Sequence, residues 1–135
     1  MPEIAPGAGL LDTSVLISPA RSAILPAQTS ISMLSLAELA AGPHATTDAA
    51  ERGRRQERLQ TIEAMFDPLQ FDAACARAYG RIYAAVSQSG RKARGRRAVD
   101  LLIAATAVAH ALPLYTMNAA DLRGLEPVLE VVDCG

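Results

Sequence analysis

The chain has 135 residues, half of them hydrophobic, which fits one domain with a substantial core. Charged residues make up 20% and the net charge is −1, so no overall charge excess marks a nucleic-acid binder. Aromatic residues are only 4% and Trp is absent, leaving Leu, Val, Ile and Ala to fill the interior.

Residues 1–9 read as a flexible tail or a misassigned start, without the basic region or apolar core of a signal peptide. Residues 10–17 read as a strand and 29–34 as a second. "SLAELAAG" (35–42) reads as a short helix stopped by Gly42 and Pro43. Residues 46–66 form a helix opened by Thr46 or Thr47, with Leu59, Ile62 and Phe66 at helical spacing. A brief strand follows at 68–71. Asp72 then caps a helix in which Cys75, Tyr79, Ile82 and Val86 recur at steps of four and three, ending at Gly90. "RKARGRR" (91–97) is a basic loop. Residues 98–112 are apolar on nearly every helical face and belong at the centre of the fold. Strands at 112–116 and 128–132 flank "NAADLRGL".

Strands alternating with helices, each strand a nearly continuous apolar run, imply an α/β domain with a parallel sheet covered by helices on both faces. The longest apolar stretch (101–115) contains His110 and Pro113 and is too short to span a bilayer, so a soluble, cytoplasmic protein is expected. Cys75 reads as a small buried hydrophobe and Cys134 as an exposed tail thiol. Tyr79, Tyr83 and Tyr115 read as core. His44 and His110 have no metal-ligand spacing.

Four acids stand out because ligands bind parallel sheets at the carboxyl ends of the strands. Asp12 lies late in the first strand, where an unpaired carboxylate is costly. Glu38 and Asp100 fall in first turns of helices, and Asp121 follows the 112–116 strand by five residues. Each has a plainer reading: Ser35 and Glu38 as a capping box, Asp100 as a complement to its helix dipole, Asp121 as the start of a surface turn. Together, converging carboxylates repel unless a hard divalent cation such as Mg²⁺ sits among them.

The blocks "LLDTSVLI", "ISMLSLAELAAG", "RRAVDLLIAATAVAHALPLYTMNAADL" and "LEVV" resemble, in that order, the PIN-domain ribonucleases, in particular the VapC-type toxins of bacterial toxin–antitoxin pairs. The resemblance implies a single PIN-like domain over residues 10–135. It also implies metal-binding, catalytic roles for Asp12, Glu38, Asp100 and the more variable Asp121, supported by Thr13, Thr116 and Asn118. Leu122 departs from the aromatic residue often found there. One Mg²⁺ or Mn²⁺ would be held by Asp12, Asp100 and Asp121, with Glu38 holding a water or a second ion.

The implied substrate is single-stranded or loop RNA such as tRNA or rRNA, hydrolysed at a phosphodiester. Arg91, Lys92, Arg94, Arg96 and Arg97 are candidates to hold its backbone. The implied partners are a VapB-like antitoxin that silences the enzyme and a second copy of the chain in a homodimer. A catalytically weak PIN-like module acting through a protein partner is the alternative. A phosphoaspartyl phosphatase is excluded, since it needs a second acid two residues after the first, where this chain has Ser14.

Overall fold

A computed structural model describes residues 7–18, 25–90 and 96–135, with side chains described from residue 98 in the last stretch. Four short strands, β1 (Ala8–Leu11), β2 (Gln28–Ser30), β3 (Leu114–Thr116) and β4 (Val131–Asp133), make one sheet in the order β2-β1-β3-β4. Every pairing is parallel, with Leu10 opposite both Ser30 and Leu114, and Tyr115 opposite both Leu11 and Val132. The helices are α1 (Thr13–Ile17), α2 (Met33–Ala41), α3 (Ala49–Met65), α4 (Ala73–Gln88) and α5 (Arg96–Ala109). Single 3-10 turns occupy Gly42–Ala45 and Ala119–Leu122.

Because side chains alternate along a strand, each strand feeds both faces. Leu10 and Leu114 point to the α4–α5 side, where Ile82, Val86, Leu101 and Ile103 are buried. Leu11 and Tyr115 point the other way, towards Ile31, Leu39 and Ile62. α5 is buried at Leu101 and continuously from Ile103 to Ala107, as its all-round apolarity predicts. Gly9 must remain small: a Cβ there would collide with the Tyr115 ring.

Several local expectations change. Residues 13–17 are helix, not strand: Asp12 caps α1, and a five-residue helix is too short to show its period against β-prone Val15, Leu16 and Ile17. β1 begins at Ala8, earlier than residue 10; residues 1–6 of the expected tail lie outside the described residues. The second strand stops at Ser30, because Ser32 caps α2 by accepting from the Ser35 N–H (3.1 Å). The expected strand at 68–71 reduces to one bridge, Ser32 to Leu69. α3 opens at Asp48, whose carboxylate accepts from the Glu51 N–H (2.8 Å), rather than at Thr46 or Thr47.

α4 follows the reading closely. Asp72 caps it, and Gly90 ends it at φ +80°, a left-handed conformation natural to glycine. The hydrogen bond from the Cys75 amide (3.1 Å) first, and then the Cys75 side chain, hold the Asp72 carboxyl below its usual range.

Cys75 is buried, but Cys134, expected as an exposed thiol, is only 1% exposed. Its N–H continues the sheet ladder by donating to the Thr116 carbonyl (2.8 Å), which tucks the thiol beside Leu11 and Tyr115. Of the three tyrosines Tyr115 is buried and Tyr79 half-buried, whereas Tyr83 is 52% exposed and touches Tyr79 ring to ring (centroids 6.2 Å apart). Among the described residues no helix is long and apolar enough to cross a membrane.

Candidate active site at the carboxyl ends of the central strands

Strand order reverses direction between β1 and β3, the place where an open parallel sheet leaves a crevice beyond its strand ends. Asp12 stands at that point. Its N–H still pairs with the Tyr115 carbonyl (3.0 Å), after which the chain turns into α1. The Asp12 carboxylate accepts from the Val15 N–H (3.3 Å) and from the Ser14 hydroxyl (2.5 Å). The cost of half-burying this acid is thus offset in part by a helix cap, which the strand reading of residues 10–17 could not anticipate.

Ser14 does more than cap. Its oxygen also accepts from the Met117 N–H (2.9 Å) and lies 3.4 Å from the Thr116 hydroxyl, which in turn accepts from the Asn118 N–H (3.0 Å). One serine therefore fastens the turn after β1 to the turn after β3. It has no place in the sequence-derived set of site residues; the signal available was a third polar residue directly after Asp12 and Thr13.

Asp12, Asp100 and Asp121 line one cleft of about 30 Å³ with Ser14, Thr116 and Asn118. That volume holds about one water or small ion. Asp100 comes from α5, two residues further into the helix than expected because α5 starts at Arg96 rather than at residue 98. Asp121 comes from the 3-10 turn after β3, with its N–H on the Asn118 carbonyl (2.9 Å). Leu122, in place of an aromatic residue, is buried in the α4–α5 core.

Glu38 sits beside this cleft rather than in it. The capping-box reading fails, since Ser32 is the cap and Glu38 lies in mid-helix. Its carboxylate accepts from the Thr13 hydroxyl (2.5 Å), which is also 3.0 Å from the buried Ser35 hydroxyl. Thr13 has one proton to give, and the charged acceptor takes it in the stronger bond. Asp12 and Glu38 are thus oriented by consecutive hydroxyls, those of Ser14 and Thr13.

Among the described residues, no three Asp, Glu, His or Cys side chains form a ready-made ligand cage. Such a cage is the mark of structural zinc. Magnesium keeps several waters and needs only one or two carboxylates, so the oxygen-bearing side chains in the lining, three of them carboxylates, fit it. The thiol of Cys134 lies near enough for Asp12 to act on it: burial first, then the Asp12 carboxylate, pushes it up, keeping it protonated. Arg91, Lys92 and Arg94 lie outside the described residues; so do the side chains of Arg96 and Arg97, whose backbone begins α5.

This is a parallel α/β domain with acids from three distant segments gathered at its switch point, where such sheets bind their ligands. The PIN domain family matches residues 9–123, and the chain belongs to that family. It is 37% identical over 122 residues to "Ribonuclease VapC5" of Mycobacterium tuberculosis, covering 84% of each chain. It is 32% identical over 130 residues to "Ribonuclease VapC" of Rickettsia bellii, covering 91% of this chain and 93% of that one. The crystal structure of VapBC-5, a member of the VapBC family of toxin–antitoxin systems from Mycobacterium tuberculosis, superposes with a TM-score of 0.79. That match has 34% identity and covers 95% of this chain and 98% of that chain.

Proposed function

We propose that this protein is a ribonuclease toxin of a toxin–antitoxin pair, acting in the cytoplasm on single-stranded or loop RNA and silenced by a VapB-like antitoxin. The observation that carries the reading is the meeting of Asp12, Asp100 and Asp121 in one cleft at the switch point. Sequence relatives that are themselves ribonucleases, and a structural relative that is a toxin–antitoxin complex, supply the substrate class and the partner.

Asp12, Asp100 and Asp121 would hold a Mg²⁺ or Mn²⁺ ion, which when bound polarises a scissile phosphate and acidifies water. Ser14 fixes the Asp12 carboxylate in place, and Thr13 holds that of Glu38 where it orients the attacking water. Asn118, on the rim, donates to an oxygen of the bound strand. Arg91, Lys92, Arg94, Arg96 and Arg97 track the backbone as it enters, and the enzyme works as a homodimer.

The test is RNA cleavage with Mg²⁺ or Mn²⁺, with and without chelator, alongside thermal melts. Wild type should cut only with metal and melt higher as Mn²⁺ rises, because the ion relieves repulsion among the acids. Asp12→Asn should lose cleavage and most of the metal-dependent stabilisation. An equal response of both proteins to Mn²⁺ sinks the metal site. Co-expression with the product of the upstream gene should yield an inactive complex.

A further inference from the structure

Next to the acidic cleft, on the other side of Glu38, α1, α2 and α3 enclose a second cavity of about 490 Å³. Thr13, Ile17, Glu38, Leu39, Glu51, Arg55 and Arg58 are among its lining, so it begins one residue from Asp12. Unlike the cleft it is mixed in charge, with two arginines set against the carboxylates of Glu38 and Glu51. Ile17, 48% exposed although large and apolar, and buried Leu39 give an apolar wall. Facing them, α3 supplies arginines.

The arginines differ in what already engages them. Arg55 donates to Glu51 (2.9 Å) and to the Gly42 carbonyl (2.9 Å), which locks it as part of the wall. Arg54 holds the same Glu51 at 2.8 Å, and these guanidinium groups, Arg55 first, keep that carboxyl below its usual range. Arg58, three residues on and half-buried, makes no ion pair or hydrogen bond among the described residues. A part-desolvated guanidinium with all its N–H groups unused is a site for an anion or for a planar ring laid on its face.

We propose that this cavity seats the nucleotide flanking the scissile phosphate, with Arg58 on its phosphate and its base against Ile17. The inference rests on the nuclease reading above. The volume falls within the range of small-molecule pockets, roughly 300–1,000 Å³. Single-stranded RNA is held by this pairing of cationic groups for the backbone with flat or apolar surfaces for splayed bases. The alternation along the groove also matches a strand: carboxylates where a cation belongs, then, one step away, the uncommitted guanidinium of Arg58. The chain thereby has a means of choosing the base beside the cut that does not involve the loop at 91–97.

The experiment uses the full-length protein and a labelled ten-nucleotide single-stranded RNA, first in EDTA for binding. Arg58→Ala should weaken binding on the order of tenfold, the scale of one lost charge-assisted hydrogen bond. It should also flatten the salt dependence by about 0.7, the share of one single-strand phosphate. Arg58→Lys should restore the salt slope, while Arg77→Ala, a charge-matched change on the exposed face of α4, should alter neither quantity. With metal added, Arg58→Ala should raise KM by the same factor, hold kcat within about twofold, and relax preference for the flanking base. Unchanged RNA binding and KM overturn the proposal, and weakening of antitoxin binding alone would assign the cavity to a peptide instead. A wild type that binds RNA without cutting it defeats the nuclease reading, while the EDTA measurements still decide the cavity.

Discussion

The two faces of the sheet are covered in different ways. On one side α4 and α5 pack as a helix pair over Leu10 and Leu114, joined by Leu122, Leu125 and Leu129, in a continuous apolar layer. On the other, a smaller cluster around Leu11, Ile31, Leu39 and Tyr115 shares its space with the hydroxyls of Thr13 and Ser35 and the carboxylate of Glu38. The first face buries apolar area with few polar groups to satisfy, which is the cheapest source of stability. The second leaves Ile17 and Arg58 open beside the acids. The difference teaches that one face holds the domain together so that the other can afford polar, solvent-reaching chemistry.

Truncation tests this division most sharply. Ile82→Ala, at 0% exposure on the α4–α5 side, should cost about 3–5 kcal/mol. Ile62→Ala, 8% exposed on the opposite side, should cost closer to 2 kcal/mol, at the low end for such changes. Urea unfolding measures both, and equal losses would erase the contrast.

Glu38→Gln should do the reverse, leaving stability unchanged or higher while cleavage falls on the order of a hundredfold, the scale of a lost electrostatic group. Wild-type turnover by that variant would make Glu38 merely a partner of Thr13. The smallest effect is expected at the end of α5, where Ala111 takes φ 55° so that Leu112 N–H can reach the Ala107 carbonyl (2.9 Å). Ala111→Gly should stabilise by about 0.5–1 kcal/mol, since glycine adopts that conformation without penalty. A melting temperature that fails to rise would show the turn to be unstrained.

How far these faces could be read from sequence follows the same division. The apolar side was legible: α4 shows its cap, its four- and three-residue steps and its terminal glycine, and α5 is long enough for its apolarity to decide its place. The polar side was not. α1 is too short to display a helical period, so Asp12 looked like an acid within a strand instead of a cap. "SLAE" reads as a capping box on Ser35, whereas the helix opens three residues earlier on Ser32, which also bridges to Leu69 across the fold. Cys134 was misjudged because strand pairing with Thr116, a long-range fact, buries it. The acids themselves were visible as residues, yet their separation into a cleft with three and a neighbouring cavity with the fourth depends on where Thr13 turns Glu38.

The central position of β3 has a consequence for the chain during its synthesis. β1 and β4 both pair with β3, and Asp12 meets Asp121 only across it, 109 residues later in the chain. At a ribosomal rate of about 5–20 residues per second, several seconds pass between the making of these two carboxylates. No earlier length of nascent chain contains the third wall of the cleft. If cleavage needs all three acids, as proposed above, the chain cannot cut before Asp121 is made, which leaves that interval for a silencing partner to be at hand.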